Sequence, residues 1–160
     1  MSTYHDTTQV IEVGDITDEQ ALAYLLRHKV PEARAVDAVA NITGGRLIEL
    51  NNYRNRYARF ATNAEYRKLF DSDTKIALKD LGLETNHAFF GALLKSGRLP
   101  TKDARNFLSA AQVAELLKRN VIAQHANKTV SFQSRVVETF FRDAQKLGWW
   151  GALKLKLWFV

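Results

Sequence analysis

Val121-Ile122-Ala123-Gln124-His125 is followed, after Ala126-Asn127-Lys128, by Thr129-Val130-Ser131-Phe132, and this stretch decides how the chain is read. Apolar, β-branched and aromatic residues on both sides of an Asn-containing turn are the pattern of a β-hairpin, with the chain reversing at Asn127. Three short helical patterns lie directly upstream. Ala88, Phe89, Leu93 and Leu94 mark the first, residues 103–108 the second, and Ala111, Val113, Leu116 and Leu117 the third. Downstream, a helix beginning near Ser134 turns Val136, Val137, Phe140 and Phe141 inward and is expected to pack over the hairpin.

Helix, helix, helix, hairpin is the order of a winged helix, which is assigned to residues 82–146. Residues 17–81 read as a helical bundle. Thr17 is an N-cap, with Asp18 and Glu19 in the first turn and Gln20 at the capping-box position; Ala21, Leu22, Leu25 and Leu26 then share one face. Pro31 stands where the first residue of a second helix belongs, Ala33, Val36, Val39 and Ala40 form its stripe, and Gly44-Gly45 ends it. A third helix starts near Arg46, with Leu47, Leu50, Tyr53, Tyr57 and Phe60 on one side and Asn52, Arg56 and Arg59 opposite. Residues 62–81 predict a fourth, with Tyr66, Leu69, Phe70, Ile76 and Leu81 as core and Asp71-Ser72-Asp73 as a place where it can divide in two. Residues 1–16 hold a short strand, Val10-Ile11-Glu12-Val13, which needs partner strands later in the chain or on another polypeptide. The fold class is therefore mainly α: a helical bundle, then a winged helix with a small β-hairpin, then a hydrophobic tail over residues 147–160.

A length of 160 residues with 46% hydrophobic content is enough to bury a core, and the absence of cysteine removes disulfides, thiol nucleophiles and Cys-containing zinc sites. The polar start has no secretory pattern, and no run reaches the roughly 20 apolar residues of a spanning helix, so a soluble, intracellular protein is expected. The net charge of +6 favours anionic partners. His5, His28, His87 and His125 lack metal-ligand spacing and read as surface residues, and no Gly-x-Ser-x-Gly elbow is present. No catalytic residue and no metal site is assigned.

Two features point to partners. Arg54, Arg56, Arg59, Arg67 and Lys68, with Lys118, Arg119 and Lys128 of the winged unit, are the candidates for phosphate contacts to a nucleic acid. Base readout is expected to be weak, since the start of the third short helix offers only Gln112 and a serine. The ending, with Trp149, Trp150, Trp158 and Phe159, is too apolar for a solvated tail; packing on its own core, docking to a partner protein and resting on a membrane surface are its three readings.

The run Ile11-Glu12-Val13-Gly14-Asp15-Ile16-Thr17, then Ala21-Leu22-Ala23-Tyr24-Leu25, then Ile42-Thr43-Gly44-Gly45-Arg46-Leu47, resembles the junction of core and lid in P-loop ATPases of the AAA+ and STAND type. Leu116 to Ile122 and Val130 to Ser134 are similar to the winged-helix domain that follows such a lid. The resemblance implies that residues 17–81 are lid-like and that Gly44, Gly45 and Arg46 sense nucleotide, with the Arg46 guanidinium directed at a terminal phosphate. The STAND subgroup tends to carry His-Pro after the glycines, where this chain has Arg46-Leu47. Nothing matches Gly-x-x-x-x-Gly-Lys-Ser/Thr: Gly91 and Gly97 come nearest, but five residues lie between them instead of four, and Arg98 and Leu99 stand where the lysine and the hydroxyl belong. The chain is thus expected to bind no cofactor alone and not to hydrolyse ATP by itself; ATP and magnesium would belong to a complete ATPase. The function so implied is a regulatory and interaction module, its partner an ATPase core or an oligomer neighbour. A nucleic-acid-binding winged helix and a protein- or membrane-docking role for the tail are the alternatives.

Overall fold

The computed structural model describes residues 15–84 and 86–147. The expected strand at 10–13 and the tail residues Trp149, Trp150, Trp158 and Phe159 lie outside them. The described residues are mainly helical, with one small antiparallel sheet. In chain order they form α1 (Asp18–Arg27), α2 (Glu32–Ala38), a π-helical turn (Val39–Thr43), α3 (Leu47–Arg56), a 3-10 turn (Tyr57–Arg59), α4 (Asn63–Asp80) and α5 (His87–Ser96). These are followed by β1 (Leu99–Pro100), α6 (Thr101–Ala104), α7 (Ala110–Lys118), β2 (Ile122–Gln124), β3 (Thr129–Phe132) and α8 (Arg135–Lys146).

Capping chemistry fixes the helix starts. Thr17 and Gln20 form the expected capping box on α1, and Ser109 and Gln112 form a second on α7. Thr62, Asn86 and Ser134 cap α4, α5 and α8 with their side chains. Pro31 sits one residue earlier than expected, as the N-cap of α2. The 18-residue α4 runs unbroken through Asp71-Ser72-Asp73. Ser72 and Asp73 are exposed and Asp71 is half-buried, positions where polar residues cost a helix little, and Thr74, Ala77 and Leu78 keep the buried stripe continuous behind them.

Several buried faces are rotated from the expected ones. On α2 the interior takes Ala35, Ala38, Val39 and Ile42, while Ala33, Val36 and Ala40 are exposed. Alanines occur on both faces, so periodicity could not choose, and a polar hub settles the matter. Arg34 donates to the carbonyls of Phe60 and Tyr57, both at 3.0 Å, and to Asn63 Oδ1 at 3.3 Å. The buried Asn63 donates in turn to Asp37 Oδ2 at 2.6 Å and accepts from the Tyr53 hydroxyl at 2.5 Å. Satisfying these groups turns Arg34 and Asp37 toward α4 and swings Val36 outward. Leu26, Leu47, Leu69 and Ile76, expected inside, are likewise largely exposed, as are Ala88 and Ala111. Phe90, adjacent to Phe89, is fully buried instead.

The hairpin forms in the expected place, pairing Ile122 with Phe132 and Gln124 with Val130. Its reversal differs: the left-handed residue is Lys128, at φ +58°, not Asn127. Lys128 N donates to the His125 carbonyl and His125 N to the Thr129 carbonyl, closing a three-residue loop. A third strand was not read from sequence. β1 pairs antiparallel with β3, Leu99 opposite Val130 and Pro100 opposite Thr129, giving the order β1-β3-β2. Two residues including a proline carry no periodic signal; Pro100 fits because β1 is an edge strand of the sheet. The helix expected over 103–108 is the shorter α6, which starts immediately after this strand.

Helix α8 does more than cover the hairpin. It touches β3, α5, α4 and the π-helical turn, so Phe141 lies stacked on Phe90 at 4.1 Å and on Phe132 at 5.2 Å while the start of α8 reaches Gly44. One buried cluster consequently runs from Ala21 to Ala144.

Candidate functional site

The site is built around a turn that only glycine can make. The π-helical turn ends when Gly44 N donates to the Val39 carbonyl, and Gly44 then takes φ +53° with ψ −146°, a conformation closed to side chains with a Cβ. Gly45 is required for a different reason. A Cβ there would stand 1.7 Å from the Ile16 carbonyl oxygen, because the segment entering α1 passes directly over it. Ile16 N donates to the Gly45 carbonyl at 3.0 Å, fixing that approach.

Arg46 emerges from this turn as the N-cap of α3, and because a guanidinium has no acceptor the helix start has no side-chain cap. Its side chain is 25% exposed, with Nε 3.7 Å from Asp15 Oδ1. It lies on an open groove of about 860 Å³ between the start of α3, the middle of α4 and the β2 side of the sheet. The first turn of α3 lines this groove, and Leu47 and Ile48 expose 48% and 65% of their surface beside it. The groove therefore combines a helix start, a guanidinium and apolar surface. Asp15, Glu49 and Asp73 lie on the same lining as Arg46, Arg98 and Arg119, so its charge is mixed.

Glu49, on the same turn, is held above its ordinary carboxyl value of 4.5 by burial, with Arg46 opposing the shift. A carboxyl whose folded pKa is raised contributes stability that is complete below 4.5 and lost as pH rises through the raised value. Glu49→Gln is accordingly expected to melt higher than the unaltered protein at neutral pH, the gain vanishing in acid; thermal denaturation followed by circular dichroism at both pH values checks it.

The nucleic-acid candidates lie on α3, the 3-10 turn, α4, the α7 end and the hairpin loop, and four of them have polar or acidic partners. Arg54 donates to the Tyr24 hydroxyl at 3.1 Å and to Asn55. Arg67 is bound to Asp143 at 2.6 Å, Lys118 lies 3.6 Å from Glu115, and Arg119 bridges Asp80 at 2.7 Å and Glu115 at 3.0 Å. Those bonds hold the Glu115 carboxyl below its usual value, the Arg119 hydrogen bond first among the causes. Gln112 is committed to the α7 capping box, accepting from Ser109 N. Arg56, Arg59, Lys68 and Lys128 remain exposed, on α3, the 3-10 turn, α4 and the hairpin loop.

Two residues of the site went unassigned in the sequence. Arg98, dismissed with the false phosphate-loop spacing, and Arg135, at the start of α8, line a smaller cavity together with Arg46. They are 52 and 89 positions from Arg46 in the chain, and no local pattern links them.

No protein-family model, curated protein or solved structure matches this chain. Among the described residues, no helix is long and apolar enough to cross a membrane.

Proposed function

We propose that this chain is the lid and winged-helix portion of an AAA+/STAND-type ATPase, a module that reports nucleotide state through Arg46 rather than hydrolysing ATP itself. The observation that carries the reading is the placement of Arg46 at the end of a glycine-only turn, on an open groove instead of a packed interior. The Ile16–Gly45 contact supports it, because it ties the segment entering the bundle to the turn that presents the guanidinium. A shift of that segment by nucleotide on a core would be transmitted to Arg46. The order α5, β1, α6, α7, β2, β3, with β1 alongside β3, supports reading residues 82–146 as the winged helix. The ion-paired state of Arg67, Lys118 and Arg119 favours this module over a nucleic-acid reader.

The test begins with the coding sequence upstream, which should supply a phosphate-binding loop and an acidic magnesium motif in the same frame or the neighbouring gene. ATP turnover by the core together with this chain should then fall roughly 10- to 100-fold in Arg46→Ala, since a charged guanidinium–phosphate contact is lost. Arg46→Lys should recover only part, because lysine cannot bond bidentately. Unchanged turnover in Arg46→Ala, or salt-dependent duplex DNA binding abolished by altering Arg56 and Arg59, would replace this reading with the nucleic-acid one.

A further inference from the structure

Two arginines distant in sequence, Arg98 and Arg135, share a cavity with Arg46, and the three carry more positive charge than Asp15 and Glu138 beside them cancel. Arg98 follows Gly97, whose φ of +71° ends α5 and turns the chain into β1. It is exposed and forms no ion pair with any described residue. Arg135 lies over the Gly-Gly turn: a Cβ on Gly44 would come within 3.2 Å of its Nε. With Arg46 these two line a cavity of about 180 Å³ that adjoins the larger groove.

The carboxylates of the cavity leave these guanidinium groups with unused donors. Asp15 stands 3.7 Å from Arg46 Nε and Glu138 3.7 Å from Arg135 Nη1, both longer than a hydrogen bond. Glu138 is also hydrogen-bonded by Arg142 on the next turn of α8, so its charge is shared. Guanidinium donors arranged around a small polar space match the oxygens of a tetrahedral anion, and an apolar group would gain nothing there.

We propose that this cavity clamps a phosphate group of a phosphorylated small molecule, with Arg46 on one side and Arg98 and Arg135 on the other. The proposal rests on the reading of Arg46 as a phosphate-facing residue and adds that the hairpin-bearing half supplies the rest of the grip. Arg98 directly precedes β1 and Arg135 follows β3, so an anion held between them and Arg46 joins the sheet to the Gly-Gly turn. Because the two strands are antiparallel, the start of β1 and the end of β3 lie at the same end of the pair, and phosphate occupancy is felt there. The organic part of the ligand would lie in the adjoining groove, against Leu47 and Ile48.

The test is titration of inorganic pyrophosphate into the full chain by calorimetry at fixed ionic strength in a chloride background, with Arg46→Ala, Arg98→Ala, Arg135→Lys and Arg56→Ala compared. Circular dichroism confirms that each variant is folded. The clamp predicts saturable binding that weakens about tenfold in each of the first three and is unchanged in Arg56→Ala. Loss in Arg46→Ala with full binding in Arg98→Ala and Arg135→Lys would overturn the clamp and leave Arg46 as a lone phosphate contact. Loss in Arg98→Ala with full binding in Arg46→Ala would overturn the clamp and also the reading of Arg46. No saturable binding, or equal loss in Arg56→Ala, would overturn it as mere non-specific attraction to a basic chain.

Discussion

Gly45→Ala is expected to destabilise the protein by roughly 3 kcal/mol or more. The added carbon would stand 1.7 Å from the carbonyl oxygen of Ile16, and backbone cannot rotate aside as a side chain does. Relief requires the segment before α1 to move, which breaks the hydrogen bond from Ile16 N to the Gly45 carbonyl. Moving it also disturbs the Thr17 cap one residue on. Gly82→Ala is the matched control. Its φ is also positive, at +61°, but an added Cβ meets nothing within 4 Å. Only the local conformational cost of about 1 kcal/mol should appear there. Urea denaturation of the two variants distinguishes a close approach from a generic preference for glycine. A Gly45→Ala midpoint within experimental scatter of Gly82→Ala would mean that Ile16 is not held against the turn.

Phe141→Ala is the second large effect, expected at about 3–5 kcal/mol, the range for truncating a buried aromatic that neighbours cannot collapse onto. Phe141 is fully buried and stacks on Phe90 of α5 and Phe132 of β3, with Phe140 edge-on at 5.2 Å. Because α8 also packs on the π-helical turn and α4, the cavity would loosen both ends of the chain together. Hydrogen exchange should show protection falling in α3 and α4 as well as in the sheet. Loss confined to residues 86–132 would mean that the two ends do not share the cooperative core described above.

Capping and turn chemistry were the most legible parts of the sequence, because each acts over three or four residues. Thr17 with Gln20, Ser134, the Gly-Gly stop and the two strands of the hairpin could be read directly, although the left-handed residue of its loop is Lys128 and not Asn127. Helix faces were less so wherever apolar residues lie on more than one side. Val36, Leu69 and Ile76 look like core by spacing, yet the polar hub of Arg34, Asp37 and Asn63 and the reach of α8 decide which face turns inward. The strand at Leu99–Pro100 exists only because β3 is there to pair with it. The candidate site divides in the same way. Gly44, Gly45 and Arg46 announce themselves as a local motif, whereas Arg98 and Arg135 join them only through the packing of α8 across the turn.

Amide chemical shifts of this chain bound to its ATPase core, with ATP and separately with adenosine, show whether the Gly-Gly turn responds to the phosphates. ATP is expected to move the signals of Gly44, Gly45 and Arg46 while adenosine leaves them nearly still, and Arg46→Ala is expected to remove the difference. Shifts centred on Arg56, Arg59 or Lys68, or an ATP response that survives in Arg46→Ala, would contradict the reading of Arg46.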